Sequence, residues 1–247
     1  MKLTDKNIRE KDFHNKLQSK SKGRFENIFY KAIYNSGEDF FHFLKYNTKD
    51  SEVLDYGCGV GNSLKRVIEY KPKKITGIDI SEISIKKAEN SIQNFNTNVE
   101  LLVDNCEKTS FKDSSFNLVY GTGILHHLNI TMCLDEIHRI LKPGGKFLFI
   151  EPLGTNPVIN LYRKFTPKSR SIDEHPLVNR DFKLMQNKFG KMKVKYYGFL
   201  TLIFFLIYST PENSKIFKFL KNIDQFLFKF KIFKKLAWSV LIVAEKN

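Results

Sequence analysis

The stretch Val53-Leu54-Asp55-Tyr56-Gly57-Cys58-Gly59-Val60-Gly61 decides the fold of this chain. Two strand-forming residues lead to an acid, Asp55, and glycine then recurs at every second position, at Gly57, Gly59 and Gly61. Backbone without a Cβ atom can turn tightly and lie against a bound ligand. Apolar residues at helical spacing follow the last glycine. The stretch predicts a strand, a glycine turn and a helix that form a cradle for a nucleotide-sized ligand, although nine residues alone also fit a plain glycine-rich connection.

A second acid follows at the spacing of a ribose-binding site. Lys74 to Ile80 reads as a strand that ends at Asp79, eighteen residues after Gly61 and close to the ~20-residue offset found in nucleotide-binding folds. A carboxylate suits a vicinal diol because its two oxygens accept both O–H bonds. A strand-end or capping acid is the alternative, but the combined spacing favours a binding role for Asp79.

Length and composition limit the class of protein. A chain of 247 residues with 42% hydrophobic residues fits one α/β domain with additions and not a disordered protein. Cys58, Cys106 and Cys133 are odd in number and widely spaced, so neither disulfides nor a zinc site are expected, and no metal site is predicted.

The polar, lysine-rich start predicts no signal peptide and a cytoplasmic location. The net charge of +15 ordinarily suggests nucleic acid or an anionic membrane, but scattered lysines favour biased composition over a nucleic-acid footprint.

Strand and helix patterns alternate along the middle of the chain. Strands are predicted over 99–103, 117–120 and 146–150, and the helix before the last of these ends at Lys142-Pro143-Gly144-Gly145. This alternation predicts a parallel, doubly wound sheet. The predicted organisation is a helical N-terminal cap over 1–48, a binding core over 49–152, and a segment over 153–247 with a substrate loop, lid helices and the last two strands of the same domain.

Four elements together resemble the class I S-adenosylmethionine-dependent methyltransferases, in the small-molecule branch called methyltransferase type 11. The elements are VLDYGCGVG at 53–61, GIDIS at 77–81, CEKTSFKDSSFNLVYGTGILHHL at 106–128 and EIHRILKPGGKFLFIEP at 136–152. Their order is specific, and the last two favour this family over a dehydrogenase. The resemblance implies a Rossmann-like α/β sheet of seven strands with the last strand antiparallel, and S-adenosyl-L-methionine as cofactor.

The resemblance also implies which residues contact the cofactor. Asp79 would hold the ribose, Ile80 would pack on adenine, and Asp55 with the glycines would lie under the methionine part. Asn105 stands where family members carry aspartate facing the adenine amino group; its oxygen still accepts a hydrogen bond but has no charge, and Asp104 is the alternative. The full predicted set is Asp55, Gly57, Cys58, Gly59, Gly61, Asp79, Ile80, Asp104, Asn105, Cys106 and Gly121.

The loop from Pro152 to Leu177 is dense in polar and ionisable residues and is the predicted acceptor site, with a solvated loop as the alternative. A hydroxyl acceptor benefits from a general base, whereas an amine acceptor must arrive neutral. The candidates for that base are His175, which is preferred because it lies in this loop, and His126, His127 and Glu151.

The last third of the chain contains two unusual apolar segments. Residues 199–207 are intensely apolar but too short to span a bilayer, which favours a buried strand beside a lid. Residues 216–233 carry an apolar helical stripe with lysines beside it, which predicts a core-packed helix or, as the alternative, a basic amphipathic surface for anionic lipid. Residues 238–244 read as the final strand.

These patterns predict a methyltransferase that acts on an O, N or C atom of a small metabolite, a sugar or a lipid-linked intermediate. A non-catalytic cofactor-binding or membrane-surface protein of the same fold is the alternative. An RNA methyltransferase is a lesser alternative that only the positive charge suggests.

Overall fold

The computed structural model describes residues 3–19, 28–95, 98–167 and 170–247. Within them, one seven-stranded sheet has the strand order β3-β2-β1-β4-β5-β7-β6. Strands β1 to β5 are parallel, and β7 runs antiparallel to its neighbours β5 and β6. The predicted Rossmann-like sheet with an antiparallel last strand is therefore confirmed. The strands are β1 (Glu52–Tyr56), β2 (Lys74–Asp79), β3 (Val99–Val103), β4 (Phe116–Thr122), β5 (Leu141–Pro152), β6 (Met192–Tyr197) and β7 (Ser239–Glu245).

Helices connect these strands and flank the sheet. They are α1 (Asp5–Ser19), α2 (Tyr34–Asn47), α3 (Leu64–Ile68), α4 (Glu82–Ile92), α5 (Ile130–Ile140), α6 (Pro157–Phe165), α7 (Asn179–Phe189), α8 (Leu200–Ile203), α9 (Lys215–Leu227) and α10 (Lys231–Lys234). Short 3₁₀ turns occupy Ile28–Ile33, Leu125–His127 and Phe205–Ile207. Residues 20–27 of the predicted N-terminal cap, including Phe25, lie outside the described residues.

Apolar residues cover both faces of the central strands. On one face, Leu54 and Phe149 pack in a cluster with Ile137 of α5. On the other face, Val53 and Leu148 pack with residues of α2 and α3. Strands that are buried on both sides carry continuous apolar runs, as the sequence of β1 and β5 does. This two-sided core fixes the carboxyl ends of β1, β2 and β4 at one edge of the sheet.

The strand order reverses between β1 and β4, since β2 and β3 lie on one side of β1 and β4 and β5 lie on the other. In open α/β sheets, ligands bind outside the carboxyl ends of the strands at such a reversal. The glycine turn follows β1 at this point.

The prediction of a buried strand over 199–207 is wrong. The sixth strand is Met192–Tyr197. The next residue, Gly198, has a φ of +78° and turns the chain. The apolar segment then forms α8 and a 3₁₀ turn. The buried carboxylate of Asp224 in α9 accepts the backbone N–H of Phe199 at 3.2 Å and of Leu200 at 2.7 Å. A side chain distant in sequence thus starts the helix, because it satisfies N–H groups that have no partner within a first helical turn.

The predicted helix over 216–233 forms as α9 and α10, but it is buried on one side only. Phe217 and Leu220 are buried, whereas Phe219 is 65% exposed and Phe226 is 57% exposed. Core packing therefore accounts for part of the apolar stripe. Among the described residues, no helix has both the length and the apolar character required to cross a bilayer.

Candidate functional site

The glycine turn after β1 leaves an open cradle. Gly57 and Gly59 have φ of +76° and +53°, a backbone conformation that favours glycine. A Cβ at Gly57 would lie 2.5 Å from Ile124 Cγ1, so this glycine allows the turn to pack against the loop after β4. A Cβ at Gly59 would meet nothing within 4 Å. The space above Gly59 therefore serves no packing role within the described residues, and it is open to a ligand.

Asp55 lies at the inner end of this cradle and is 2% exposed. Its Oδ2 atom accepts hydrogen bonds from Ser63 Oγ at 2.5 Å and from Tyr120 Oη at 3.0 Å. Burial and, to a smaller extent, the nearby Asp79 raise the pKa of Asp55 from its ordinary value near 3.8 to about 7. The two hydrogen bonds act in the opposite direction. A cationic group above Asp55 would favour the ionised carboxylate.

Asp79, at the end of β2, is joined directly to the glycine turn. Its Oδ2 atom accepts the backbone N–H of Gly59 at 3.0 Å, and its Oδ1 atom accepts that of Ser81 at 2.9 Å. Burial raises the pKa of this carboxyl despite these two bonds. Each oxygen has a second lone pair, so the carboxylate can accept further hydrogen bonds from a diol.

The predicted adenine-contact residues are held in a tight turn after β3. Asp104 accepts from the backbone N–H of Asn105 and from both the N–H and the hydroxyl of Ser110, each at 2.8 Å. Asn105 Oδ1 accepts from the N–H of Glu107 at 2.9 Å, and its amide donates to Asn7 Oδ1 at 3.2 Å. The contact of Asn105 or Asp104 with adenine stays a prediction.

The remaining predicted cofactor residues lie around the same edge. Cys58 is buried within the turn, and its N–H donates to Ile78 O at 2.8 Å. Ile80 is half-buried beside Asp79, and Cys106 is buried in the turn that holds Asn105. The open position above Gly59, between two strand-end carboxylates, fits an elongated cofactor with a cationic amino group and a ribose. The predicted set also includes Gly121, within β4.

Helix α1 crosses this edge of the sheet and is held there by polar contacts. Asn7 Nδ2 donates to Glu107 Oε2 at 3.0 Å, and Asn15 Oδ1 accepts from Ser81 Oγ at 2.5 Å. Arg9 pairs with Asp173 of the acceptor loop at 2.8 Å. The helix thus contacts the turns that follow β2 and β3 as well as the predicted acceptor loop.

His126 and Glu151 form a buried pair after β4 and at the end of β5. Glu151 is fully buried and accepts the N–H groups of Ile124 at 2.9 Å and of Leu125 at 2.8 Å. His126 Nδ1 lies 2.7 Å from Glu151 Oε2. These contacts hold the 3₁₀ turn against β5, and a role for either residue as a base stays a prediction.

His127 faces α1. Its Nδ1 atom lies 3.0 Å from Glu10 Oε2, and its Nε2 atom lies 3.9 Å from Glu174 Oε1. Burial opposes ionisation of Glu10, but the nearby His127 and the hydrogen bond from Ser171 leave its pKa below the ordinary value. His14 lies beside both, with ring centroids 5.0 Å apart between His14 and His127. The structure therefore brings an N-terminal helix, the turn after β4 and the acceptor loop together around His127.

His175 lies at the other side of this turn. Its backbone N–H donates to His126 O at 2.6 Å, while its side chain is 55% exposed and lies 3.3 Å from Asp181 at the start of α7. The structure thus joins the acceptor loop to the tandem histidines through the backbone of His175. The assignment of its side chain as a base stays a prediction.

Three site residues, Glu10, Asn7 and Glu107, were not predicted from the sequence. Glu10 and Asn7 lie in α1, a polar helix without a motif, and both are buried at 5% and 3% exposure. Glu107 lies in the turn after β3, and the sequence analysis predicted cofactor contacts only for its neighbours Asp104, Asn105 and Cys106. Such residues become recognisable only once α1 is placed on the sheet.

Part of this chain is similar to known methyltransferases. Residues 53–145 match the family model described as "Methyltransferase domain". A sterol 4-C-methyltransferase of Caenorhabditis elegans is 31% identical over 112 residues, which cover 44% of this chain and 33% of that protein. The chain spans about a third of the length of the first curated relatives that it matches.

Two solved structures share the fold along nearly the whole chain. Phosphoethanolamine N-methyltransferase 2 of Haemonchus contortus, in complex with phosphomonomethylethanolamine and S-adenosylhomocysteine, has a TM-score of 0.69 at 16% identity and covers 99% of this chain and 61% of that one. Geranyl diphosphate C-methyltransferase of Streptomyces coelicolor has a TM-score of 0.67 at 14% identity and covers 100% of each chain. At these identities the likeness concerns the fold alone.

Proposed function

We propose that this chain, whose residues 53–145 match a methyltransferase-domain family model, is a class I S-adenosylmethionine-dependent methyltransferase that transfers a methyl group from S-adenosyl-L-methionine to an O, N or C atom of a small acceptor. The cofactor supplies the reactive sulfonium methyl group. The chain holds cofactor and acceptor in line and excludes water. The sterol, phosphoethanolamine and geranyl diphosphate acceptors in the names of similar proteins make a small molecule the favoured class.

The observation that carries this proposal is the open cradle above Gly59 between two strand-end carboxylates. Asp55 would accept a hydrogen bond from the amino group of the methionine part, and Asp79 would accept hydrogen bonds from the ribose hydroxyls through its remaining lone pairs. Asp79 also holds the N–H of Gly59, so the same carboxylate shapes the turn and contacts the ligand.

Gly59→Ala tests the cradle, and Gly144→Ala is its matched control. Both glycines have positive φ, of +53° and +72°, and neither has an atom within 4 Å of an added Cβ. Gly144 lies at the opposite end of β5, away from the site. Each variant should lose about 1 kcal/mol of stability through backbone strain, but only Gly59→Ala should weaken cofactor binding, which calorimetry measures. Equal affinities in the two variants would remove the cradle from the binding site.

The acceptor side of the proposed reaction lies beneath α1. His127 is buried between α1, the turn after β4 and the predicted acceptor loop. It is one of the four predicted bases, with His175, His126 and Glu151. If the acceptor is a hydroxyl, one of these residues would take its proton. Closure of α1 over the site would exclude water from the methyl group.

Conversion of the cofactor separates this enzyme from a non-catalytic relative of the same fold. S-adenosylmethionine incubated with the protein and a cell extract should yield S-adenosylhomocysteine and one methylated small molecule, both detected by mass spectrometry. Cofactor binding without any conversion, across extracts that contain small molecules and lipids, would favour the non-catalytic alternative. Methylation confined to RNA in the same extracts would favour the RNA methyltransferase.

We further propose that the enzyme works at the surface of an anionic membrane, with cytoplasmic location retained as a prediction. An exposed set of apolar side chains, here called the apolar surface, lies on α6, on α8 and the 3₁₀ turn that follows it, and on α9 and α10. Its members are Val158, Leu161, Tyr162, Phe165, Ile203, Leu206, Ile207, Ile216, Phe219, Phe226, Phe230 and Ile232, all exposed.

Contacts join some of the elements that carry the apolar surface, and these elements also carry positive charge. Asn156, the cap of α6, donates to Leu236 O after α10 at 2.6 Å, and Phe29 contacts both Tyr162 and Phe205. Exposed lysines lie on the same elements; they are Lys164, Lys215, Lys218, Lys229, Lys231 and Lys235. A second copy of the chain would place these lysines against one another. An anionic bilayer instead accepts both the apolar side chains and the lysines.

Vesicle flotation tests this location. The protein should float with vesicles of phosphatidylcholine and phosphatidylglycerol and should remain below vesicles of phosphatidylcholine alone. Phe219→Glu should weaken binding roughly tenfold or more, since burial of one phenylalanine contributes about 1.5–3 kcal/mol. Tyr46→Glu alters a side chain that is 71% exposed outside the apolar surface and should bind normally. Flotation that is absent, or equal for both variants, would contradict the proposal, as would a dimer that Phe219→Glu dissolves.

A further inference from the structure

Three side chains meet at the contact between α1 and the turn after β4. Glu10 and His14 lie one helical turn apart on α1, and His127 approaches them from below. One ligand atom from each residue lies within 4.8 Å of the other two. Glu10 and His127 are 5% and 3% exposed, whereas the side chain of His14 is partly exposed.

Two atoms at the centre of this group have no hydrogen-bond partner among the described residues. They are Glu10 Oε2 and His127 Nδ1. The atoms lie 3.0 Å apart, but their geometry is not that of a hydrogen bond. A buried polar atom without a partner costs about 1–3 kcal/mol. Because the two atoms lie only 3.0 Å apart, one bound species could satisfy both.

The distances suit a metal ion between the three side chains. Glu10 Oε2 lies 3.7 Å from His14 Nε2 and 3.0 Å from His127 Nδ1. A tetrahedral site with bonds of roughly 2.0–2.1 Å places neighbouring ligand atoms about 3.3 Å apart. The two separations from Glu10 lie on either side of this value, and the ligand atoms of His14 and His127 lie within 4.8 Å of each other.

Groups outside the three side chains hold them in place. The hydroxyl of Ser171 donates to the second oxygen of Glu10. The second ring nitrogen of His127 faces Glu174 at 3.9 Å. Metal ligands are commonly oriented in this way by hydrogen bonds and carboxylates behind them. His126 is a poorer ligand, because its Nδ1 atom is already 2.7 Å from Glu151.

We propose that Glu10, His14 and His127 bind one divalent first-row transition-metal ion of the zinc class. Two imidazoles and one carboxylate suit such ions and disfavour Mg²⁺ and Ca²⁺, which take oxygen ligands. Three protein ligands leave a fourth position open to water or a small molecule. The ion connects α1 to the turn after β4, so it stabilises the closed position of the helix.

Zinc binding to the untagged, EDTA-treated protein tests the site. Titration calorimetry with ZnCl₂ should give one equivalent of saturable binding, and the melting temperature should rise with zinc but not with MgCl₂. Neither cofactor nor acceptor is present, so the result does not depend on methyl transfer. Binding that is absent, or that an equal concentration of MgCl₂ abolishes, would overturn the proposal.

Variants locate the ion. His14→Ala removes a partly exposed ligand, Glu10→Gln keeps the shape of its side chain, and each should weaken zinc binding by at least about tenfold. His138→Ala, a histidine of α5 outside the group, should bind zinc like the wild type. Co²⁺ should give a spectrum without a thiolate charge-transfer band. Unchanged affinity in both Glu10→Gln and His14→Ala, or a thiolate band from the buried cysteines, would refute the site.

Discussion

Replacing Asp55 with asparagine should change how the stability of the protein depends on pH. The carboxyl is 2% exposed, and burial raises its pKa from near 3.8 to about 7. Because the folded-state pKa lies above the unfolded-state value, Asp55 contributes its full stability below pH 4, and that contribution is lost as the pH rises through about 7. At about 1.4 kcal/mol for each unit of pKa shift, the total loss is about 4 kcal/mol.

Asp55→Asn removes this titration and keeps an oxygen for Ser63 and Tyr120. The free energy of unfolding of the variant, relative to that of the wild type, should therefore increase by about 3 kcal/mol between pH 5 and pH 8. For a chain of this size, that increase corresponds to roughly 6–12 °C in melting temperature. Subtraction of the two curves cancels every other group that titrates in both proteins.

Differential scanning fluorimetry at half-unit pH steps measures the effect without cofactor. Asp135→Asn removes an exposed carboxyl of α5 and provides the comparison. Parallel pH curves for Asp55→Asn and the wild type would refute the reasoning, since they would mean that Asp55 does not titrate in this range. Asp55→Asn should also lose cofactor affinity, because the variant cannot offer a carboxylate to the ammonium group.

The remaining predictions concern the cofactor and acceptor sites. Asp79→Ala should weaken cofactor binding by about 1–3 kcal/mol, measured by calorimetry, and unchanged affinity would remove Asp79 from the site. Asn105→Asp should retain or improve cofactor affinity because a charged acceptor makes a stronger hydrogen bond, whereas Asn105→Leu should weaken it; equal affinities would point to Asp104 or backbone contacts. His175→Ala should lower turnover by roughly 10²–10⁴-fold if His175 is a base, or raise mainly the acceptor KM if it only shapes the loop; normal values of both would place the chemistry at His126 and His127.

The central sheet could be predicted because its signals are local. The strand, the glycine turn and the acid of β2 lie within 53–79, and each element is specified by residues next to it in sequence. Gly59 and Asp79, twenty residues apart in the sequence, are joined in the structure by a hydrogen bond from the N–H of Gly59 to the carboxylate of Asp79. Patterns of this kind survive folding because the sheet buries both faces of β1 and leaves no alternative register.

The segment after β6 could not be predicted in the same way. Its apolar residues favour a strand locally, but Asp224 accepts the N–H groups of residues 25 and 24 positions earlier and so starts α8. The group of Glu10, His14 and His127 has the same origin, since an N-terminal helix and the turn after β4 meet only in three dimensions. Sequence spacing predicts contacts between residues that are close along the chain, and it does not predict these long-range contacts.

The polar attachment of α1 gives its opening a distinct thermodynamic signature. Ile8 of this helix is 45% exposed, and Asn7, Arg9 and Asn15 hold the helix through hydrogen bonds and an ion pair. Detachment would therefore expose little apolar surface, which is the main source of a heat-capacity change. Opening should show a heat-capacity change near zero, and amide hydrogens beneath α1 should exchange through an opening that depends weakly on denaturant. The equilibrium between attached and detached α1, and with it access to the site, would then depend on temperature mainly through the enthalpy of the few hydrogen bonds that break on opening.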